Sequence, residues 1–143
     1  MSQWRRVVMA AVSGLAVLAV AGGPAPQAFE ETTTIVAGEL DGKVFIGELG
    51  GKGKTRGDRD LFLFDTGKFR SIVCDPYGFK AAPYTAEASS DGVSFSAQAF
   101  SPTDGIMTWE GIVRGDSLEG TAWWHRQAER APEEFWFKGS LKQ

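Results

Sequence analysis

The residues able to do covalent chemistry are few. The chain has 143 residues, with a single cysteine, Cys74, and a single histidine, His125. A thiol nucleophile needs a lowered pKa and an oriented base beside it. Cys74 and His125 are the only such pair available, and no local signature flanks either. The competing reading of Cys74 is a half-buried structural thiol. One Cys and one His leave too few soft ligands for a structural zinc site. Glu110 and Glu119 fall diagonally on one outward face, not across a cleft, so a paired-carboxylate hydrolase lacks its geometry. Gly50-Gly51-Lys52-Gly53-Lys54-Thr55 imitates a phosphate-binding loop, but the required glycine five places before Gly53 is Glu48. A strand rather than a helix follows it, so no helix N-terminus is aimed at a phosphate. Arg56-Gly57-Asp58 and Arg114-Gly115-Asp116 spell an adhesion tripeptide, yet Gly-Asp is ordinary turn chemistry. No metal or cofactor is called for, and an enzyme is the weaker reading.

Binding is better served than reaction. The candidate ligand-binding residues are Cys74, Tyr77, Phe79, Lys80, Tyr84, Trp124, His125 and Arg126. They combine aromatic faces with cations, the chemistry that holds an apolar or amphiphilic small molecule. What assembles them is a predicted topology.

From Val44 onward, short alternating or aromatic-rich runs are punctuated by Gly and Asp, with no sustained 3.6-residue period. Strands are predicted over 44–49, 61–64, 69–74, 84–88, 93–100, 106–113, 118–125 and 135–141. Only 126–130 tolerates a helical turn, and Pro132 ends it. The clearest hairpin has Gly115 at the first central position of a two-residue type II′ loop. That loop pairs Val113 with Leu118, Gly111 with Gly120, Trp109 with Ala122 and Met107 with Trp124, all on one core-facing side. A one-residue slip would expose Trp109 and Trp124. The facing glycines mark a bend or a close approach.

If each strand pairs with the next, alternate connections share an end. One end has the tight turns 65–67, 89–92 and 114–117. The other has 50–60, 75–81, 101–105 and 126–132. The fold class is therefore all-β, about eight antiparallel strands in an up-and-down meander that closes into a small barrel or flattened clam. The loop-rich end gathers Lys52, Lys54, Arg56, Arg59, Lys80, Arg126 and Arg130. The aromatic set fills the closed end, leaving a shallow cavity near Tyr77, Tyr84, Trp124 and His125.

The N-terminus reads as an address. Arg5-Arg6, an apolar run from Val7 to Val20 and Ala19-Val20-Ala21 have the form of an export signal over 1–28, cleaved after Ala21 to Ala28. The run is too short for a stable membrane span. Residues 29–39 form an expected flexible lead-in, and 40–143 one β domain. Export implies a periplasmic or extracellular protein, and there the lone Cys74 leaves an intermolecular disulfide open. Loss of Arg5 and Arg6 leaves 13 cations against 18 acids, a net −5 that argues against nucleic acid as partner.

Cys74-Asp75-Pro76-Tyr77-Gly78-Phe79, Trp109-Glu110-Gly111, Gly115-Asp116-Ser117-Leu118-Glu119-Gly120 and Phe135-Trp136-Phe137-Lys138-Gly139 resemble a group of small exported bacterial proteins of unknown function. The resemblance covers roughly Leu40 to Leu141. The hairpin also resembles those of lipocalin-like and avidin-like barrels, although the G-x-W opening strand of true lipocalins is lacking. The resemblance implies export and β architecture and assigns no catalytic residue. The sequence thus leads to an exported barrel that binds an apolar or amphiphilic ligand at its loop-rich end. The alternative is an envelope protein–protein interaction module with a filled core, using its loops or an outer face carrying Trp123, Trp136 and Ile112.

Overall fold

A computed structural model of the chain describes residues 34–35, 38–126 and 130–143. The expected export signal lies outside them, as does most of the stretch read as tolerating a helical turn. Strand β1 is the two-residue Thr34–Ile35. The barrel consists of β2 (Val44–Gly51), β3 (Asp58–Asp65), β4 (Lys68–Ser71), β5 (Ala82–Ser89), β6 (Gly92–Ser101), β7 (Gly105–Arg114), β8 (Ser117–His125) and β9 (Glu133–Leu141). Each strand from β2 to β9 pairs antiparallel with the next, and β9 pairs back onto β2, which closes the barrel. β1 adds to β5 through Thr34 opposite Ala88 and Ile35 opposite Glu87, so part of the expected lead-in is strand.

Period-two alternation decides what is inside. In β6 Phe95, Ala97 and Ala99 are buried while Ser94, Ser96 and Gln98 are exposed. The β7–β8 hairpin has the expected register: Val113 opposite Leu118, Gly111 opposite Gly120, Trp109 opposite Ala122 and Met107 opposite Trp124. Gly115 has φ 58° at the first central position, as a type II′ turn requires. The facing glycines make room for a ring. A methyl on Gly120 would meet Phe137 Cζ at 2.5 Å, and one on Gly111 would meet it at 2.8 Å. Phe137 therefore lies against the bare backbone of β7 and β8.

Rings fill the middle of the barrel. Phe62 and Phe64 from β3, Phe69 from β4, Phe95 from β6, Trp109 from β7 and Phe137 from β9 stack, tilt or meet edge to face at centroid separations of 4.9–6.4 Å. Such pairs add about 0.5–1.5 kcal/mol each to the area they bury. The tight-turn end is sealed by the chain entering β2. Leu40 is buried, its N–H donates to Tyr84 Oη at 3.1 Å, and the Tyr84 hydroxyl donates to Asp41 Oδ1 at 2.7 Å. Asp41 also accepts the Gly67 N–H from the β3–β4 turn. Burial first, and the Asp41 contact second, push the Tyr84 hydroxyl up to about 12. It stays protonated as the donor this seal needs.

Two sequence expectations are corrected here. The strand expected over 69–74 stops at Ser71 and becomes a 3₁₀ segment, Ile72–Tyr77, because a buried carboxylate of β3 takes its first N–H groups. Tyr84 belongs to the sealed end and not to the loop-rich one. Lys68 pairs with Pro83, and the Tyr84 N–H donates to Gly67 O at 3.1 Å, which sets Tyr84 beside the β3–β4 turn.

Candidate ligand-binding site

At the loop-rich end the barrel is not filled. A cavity of about 550 Å³ opens there, within the size range of small-molecule sites. Its depth is apolar: Leu49 of β2, Cys74 of the 3₁₀ segment, Phe79, Met107 of β7, Trp124 of β8 and Phe135 of β9. Its rim carries Lys54 and Arg56 from the β2–β3 connection and Asp58 at the start of β3, together with Tyr77 and Glu133. Below it lies the filled layer of Phe62, Phe69 and Trp109, so the cavity is a cup and not a channel.

Three rings surround Trp124. Tyr77 and Phe79 meet it edge to face at 5.2 and 5.9 Å, and Phe135 is tilted at 6.4 Å. The indole N–H donates to Asp104 O at 2.7 Å, which fixes the ring. Arg126 lies over the same ring, with Cζ 3.7 Å from its centroid, and its Nε donates to Glu133 at 3.0 Å.

The wall that bears Cys74, Tyr77 and Phe79 is held by Asp60, a carboxylate that is only 4% exposed. Its Oδ1 accepts the N–H of Leu61 at 2.7 Å and of Val73 at 3.0 Å, and its Oδ2 accepts the Ser71 hydroxyl. Ser71 Oγ also lies 3.5 Å from Cys74 Sγ. Burial raises the Asp60 pKa against the opposing pull of these hydrogen bonds. Asp60 shares inward parity with Phe62 and Phe64. The alternation of β3 therefore held the signal for a buried acid that the sequence reading left in a loop.

The eight sequence candidates separate. Cys74, Tyr77, Phe79 and Trp124 line the cup. Arg126 stands beside it over Trp124. Lys80 lies outside, in a surface depression with Arg70 and Asp75. Tyr84 is at the sealed end, as described. His125 follows Trp124 in β8 and so faces the other side of the wall, its Nε2 3.5 Å from Thr108 Oγ1 on the neighbouring strand. Cys74 and His125 thus share an end of the barrel but not a face, and the partner of the thiol is Ser71. Burial pushes the Cys74 thiol up to about 11. This is opposite to the activation a nucleophile needs.

The outer tryptophans Trp123 and Trp136 are half-buried, whereas Phe100 on β6 is exposed. Trp136 lies flat over Gly50, where a methyl would come within 2.3 Å of its ring, and its indole N–H donates to Lys54 O at 2.9 Å. Among the described residues no group of three His, Cys, Asp or Glu side chains could hold a metal ion, and no helix is long and apolar enough to cross a membrane. No protein-family profile, curated protein or solved structure matches this chain.

Proposed function

We propose that this protein is an exported β-barrel that binds an apolar or amphiphilic small molecule in the cup at its loop-rich end. One observation carries the reading. A barrel filled with rings through its middle stops filling at one end, and leaves there an apolar hollow bounded by loops. An eight-stranded barrel is wide enough either to be packed solid or to hold one small ligand. Here the two options divide along the barrel axis. The cup takes the apolar part of a ligand against Met107, Phe79, Trp124 and Phe135, and the rim meets whatever polar group remains outside.

The test is native mass spectrometry of the protein purified from its own cell envelope, before and after extraction with organic solvent. The expected result is a mass excess that the extraction removes. A clean apo mass, with no tryptophan fluorescence response to a panel of fatty acids, alcohols and lipids, would remove the reading.

A further inference from the structure

We propose that the cup selects an amphiphile with one anionic head and an unfunctionalised apolar tail, and that Lys54 and Arg56 form the head-group site. The inference rests on the binding reading above and deepens it. Two independent observations carry it.

The first concerns what the cup lacks. The buried polar side chains around its depth are already engaged. The Trp124 N–H is taken by Asp104 O, the Ser71 hydroxyl by Asp60, and the Asp60 oxygens by Ser71 and two backbone N–H groups. Among the described residues no buried side-chain nitrogen or oxygen lacks a partner. A ligand hydroxyl or amide carried into the depth would therefore lose its water and gain little in return, at a cost of about 1–3 kcal/mol per group. Sugars, nucleotides and polyols are excluded from the depth on that ground, and a hydrocarbon tail is accepted.

The second concerns the rim. The backbone of the connection 52–57 is pinned at four points. Lys52 N–H donates to Glu134 O at 3.0 Å, Lys54 N–H to Gly51 O at 3.0 Å, and Gly57 N–H to Glu48 Oε1 at 3.2 Å, while Lys54 O accepts the Trp136 indole N–H at 2.9 Å. Gly57 sits so close to β2 that a methyl there would meet Leu49 O at 2.3 Å. The loop backbone is thus fixed, yet among the described residues neither Lys54 nor Arg56 makes an ion pair. Of the two acids on the rim, Glu133 is met by Arg126 at 3.0 Å. That leaves two cations against Asp58 at the edge of an apolar hollow. A fixed loop holding unpaired cations beside an apolar cup is complementary to one negative charge on an apolar tail.

The experiment compares decanoate with decan-1-ol, which share a tail and differ in the head. Affinities are read by tryptophan fluorescence on the full-length mature protein, below the micellar range, for wild type and for the K54Q/R56Q double variant. Wild type is expected to prefer decanoate, and the double variant to lose about three- to tenfold in decanoate affinity, the scale of two solvent-exposed ion pairs. Decanol affinity should stay unchanged, and 0.5 M salt should erase most of the preference. Equal affinities for the two ligands in wild type, or an equal loss for both in the variant, would overturn the head-group assignment while leaving the cup as a binding site. Absence of binding by either ligand would overturn both readings. Binding of intact phosphatidylglycerol vesicles with no response to monomeric decanoate would also overturn the assignment, in favour of a membrane surface.

Discussion

Asp60 is the residue on which the candidate site most depends, and its removal has a magnitude that follows from its contacts. In Asp60→Ala, the N–H groups of Leu61 and Val73 and the Ser71 hydroxyl lose their acceptor together. Leu61 and Val73 are half-buried, so each loss falls at the low end of the cost of an unsatisfied group, about 1 kcal/mol. Relief of the carboxylate's desolvation offsets part of the sum, and a net loss of about 2–3 kcal/mol remains. For a domain of this size that is a fall of roughly 10–20 °C in melting temperature. Asp60→Asn keeps one acceptor oxygen and the shape, so its cost is about 1 kcal/mol. The pH dependence gives a sharper test. The folded-state pKa of Asp60 is raised by burial. The folded protein therefore holds this proton more tightly than the unfolded chain does. The stability that proton gives is fully present below the unfolded pKa, near 3.8, and is lost as pH rises through the folded value. Asn has no such loss, so the difference between the two proteins should move in favour of Asp60→Asn from pH 4 to pH 7. Urea unfolding followed by tryptophan fluorescence across that range measures it. A difference that is flat, or that moves toward wild type as pH rises, would refute the reasoning, because it would mean that the network stabilises the ionised carboxylate outright.

Three further outcomes follow from other parts of the fold. Thr66 is the only non-glycine with positive φ among the described residues, at 52° beside Gly67 at 73°, so Thr66→Asn should raise stability by about 0.5–1 kcal/mol in urea melts. Gly120→Ala should destabilise by about 3 kcal/mol, since its methyl would meet Phe137 Cζ at 2.5 Å and Glu110 O at 2.2 Å, and the same melts read it. With its thiol pushed up to about 11 and buried, Cys74 should react with a disulfide reagent at pH 8 at least about 100-fold more slowly in the native protein than in urea.

Much of the barrel was legible because β-structure writes itself in period two. The eight strands, their meander order and the register of β7 on β8 all follow from where large apolar residues alternate and where Gly-Asp turns fall. Two features were not legible. Tyr84 was read at the wrong end because the stagger of β5 against β4 is set by barrel closure, which no local pattern reports. The end of β4 at Ser71 depends on Asp60, a residue eleven positions earlier that captures the chain by hydrogen bonds. The outward parity of His125 was legible, and grouping it with Cys74 rested only on their shared end of the barrel. The alternation that puts Trp124 inside also puts His125 outside, and that parity decides against their pairing.

The cup itself was only half visible in the sequence. Tyr77, Phe79 and Trp124 could be gathered from the topology, but Met107 read as ordinary core and nothing set Leu49 or Phe135 apart as lining. Whether such residues touch other side chains or open space depends on how far the ring layer extends along the axis. That is a matter of volume and not of pattern.

The most direct measurement of the central claim is the methyl resonance of Met107, which lies in the cup, during titration with decan-1-ol. Leu118, buried at 1% exposure and close to the sealed end, provides the internal reference. A binding cup at this end gives a saturable shift of the Met107 methyl with the Leu118 methyls unmoved. A Met107 signal that stays fixed at saturating alcohol, or that moves only in step with Leu118, would contradict a binding cup at this end of the barrel.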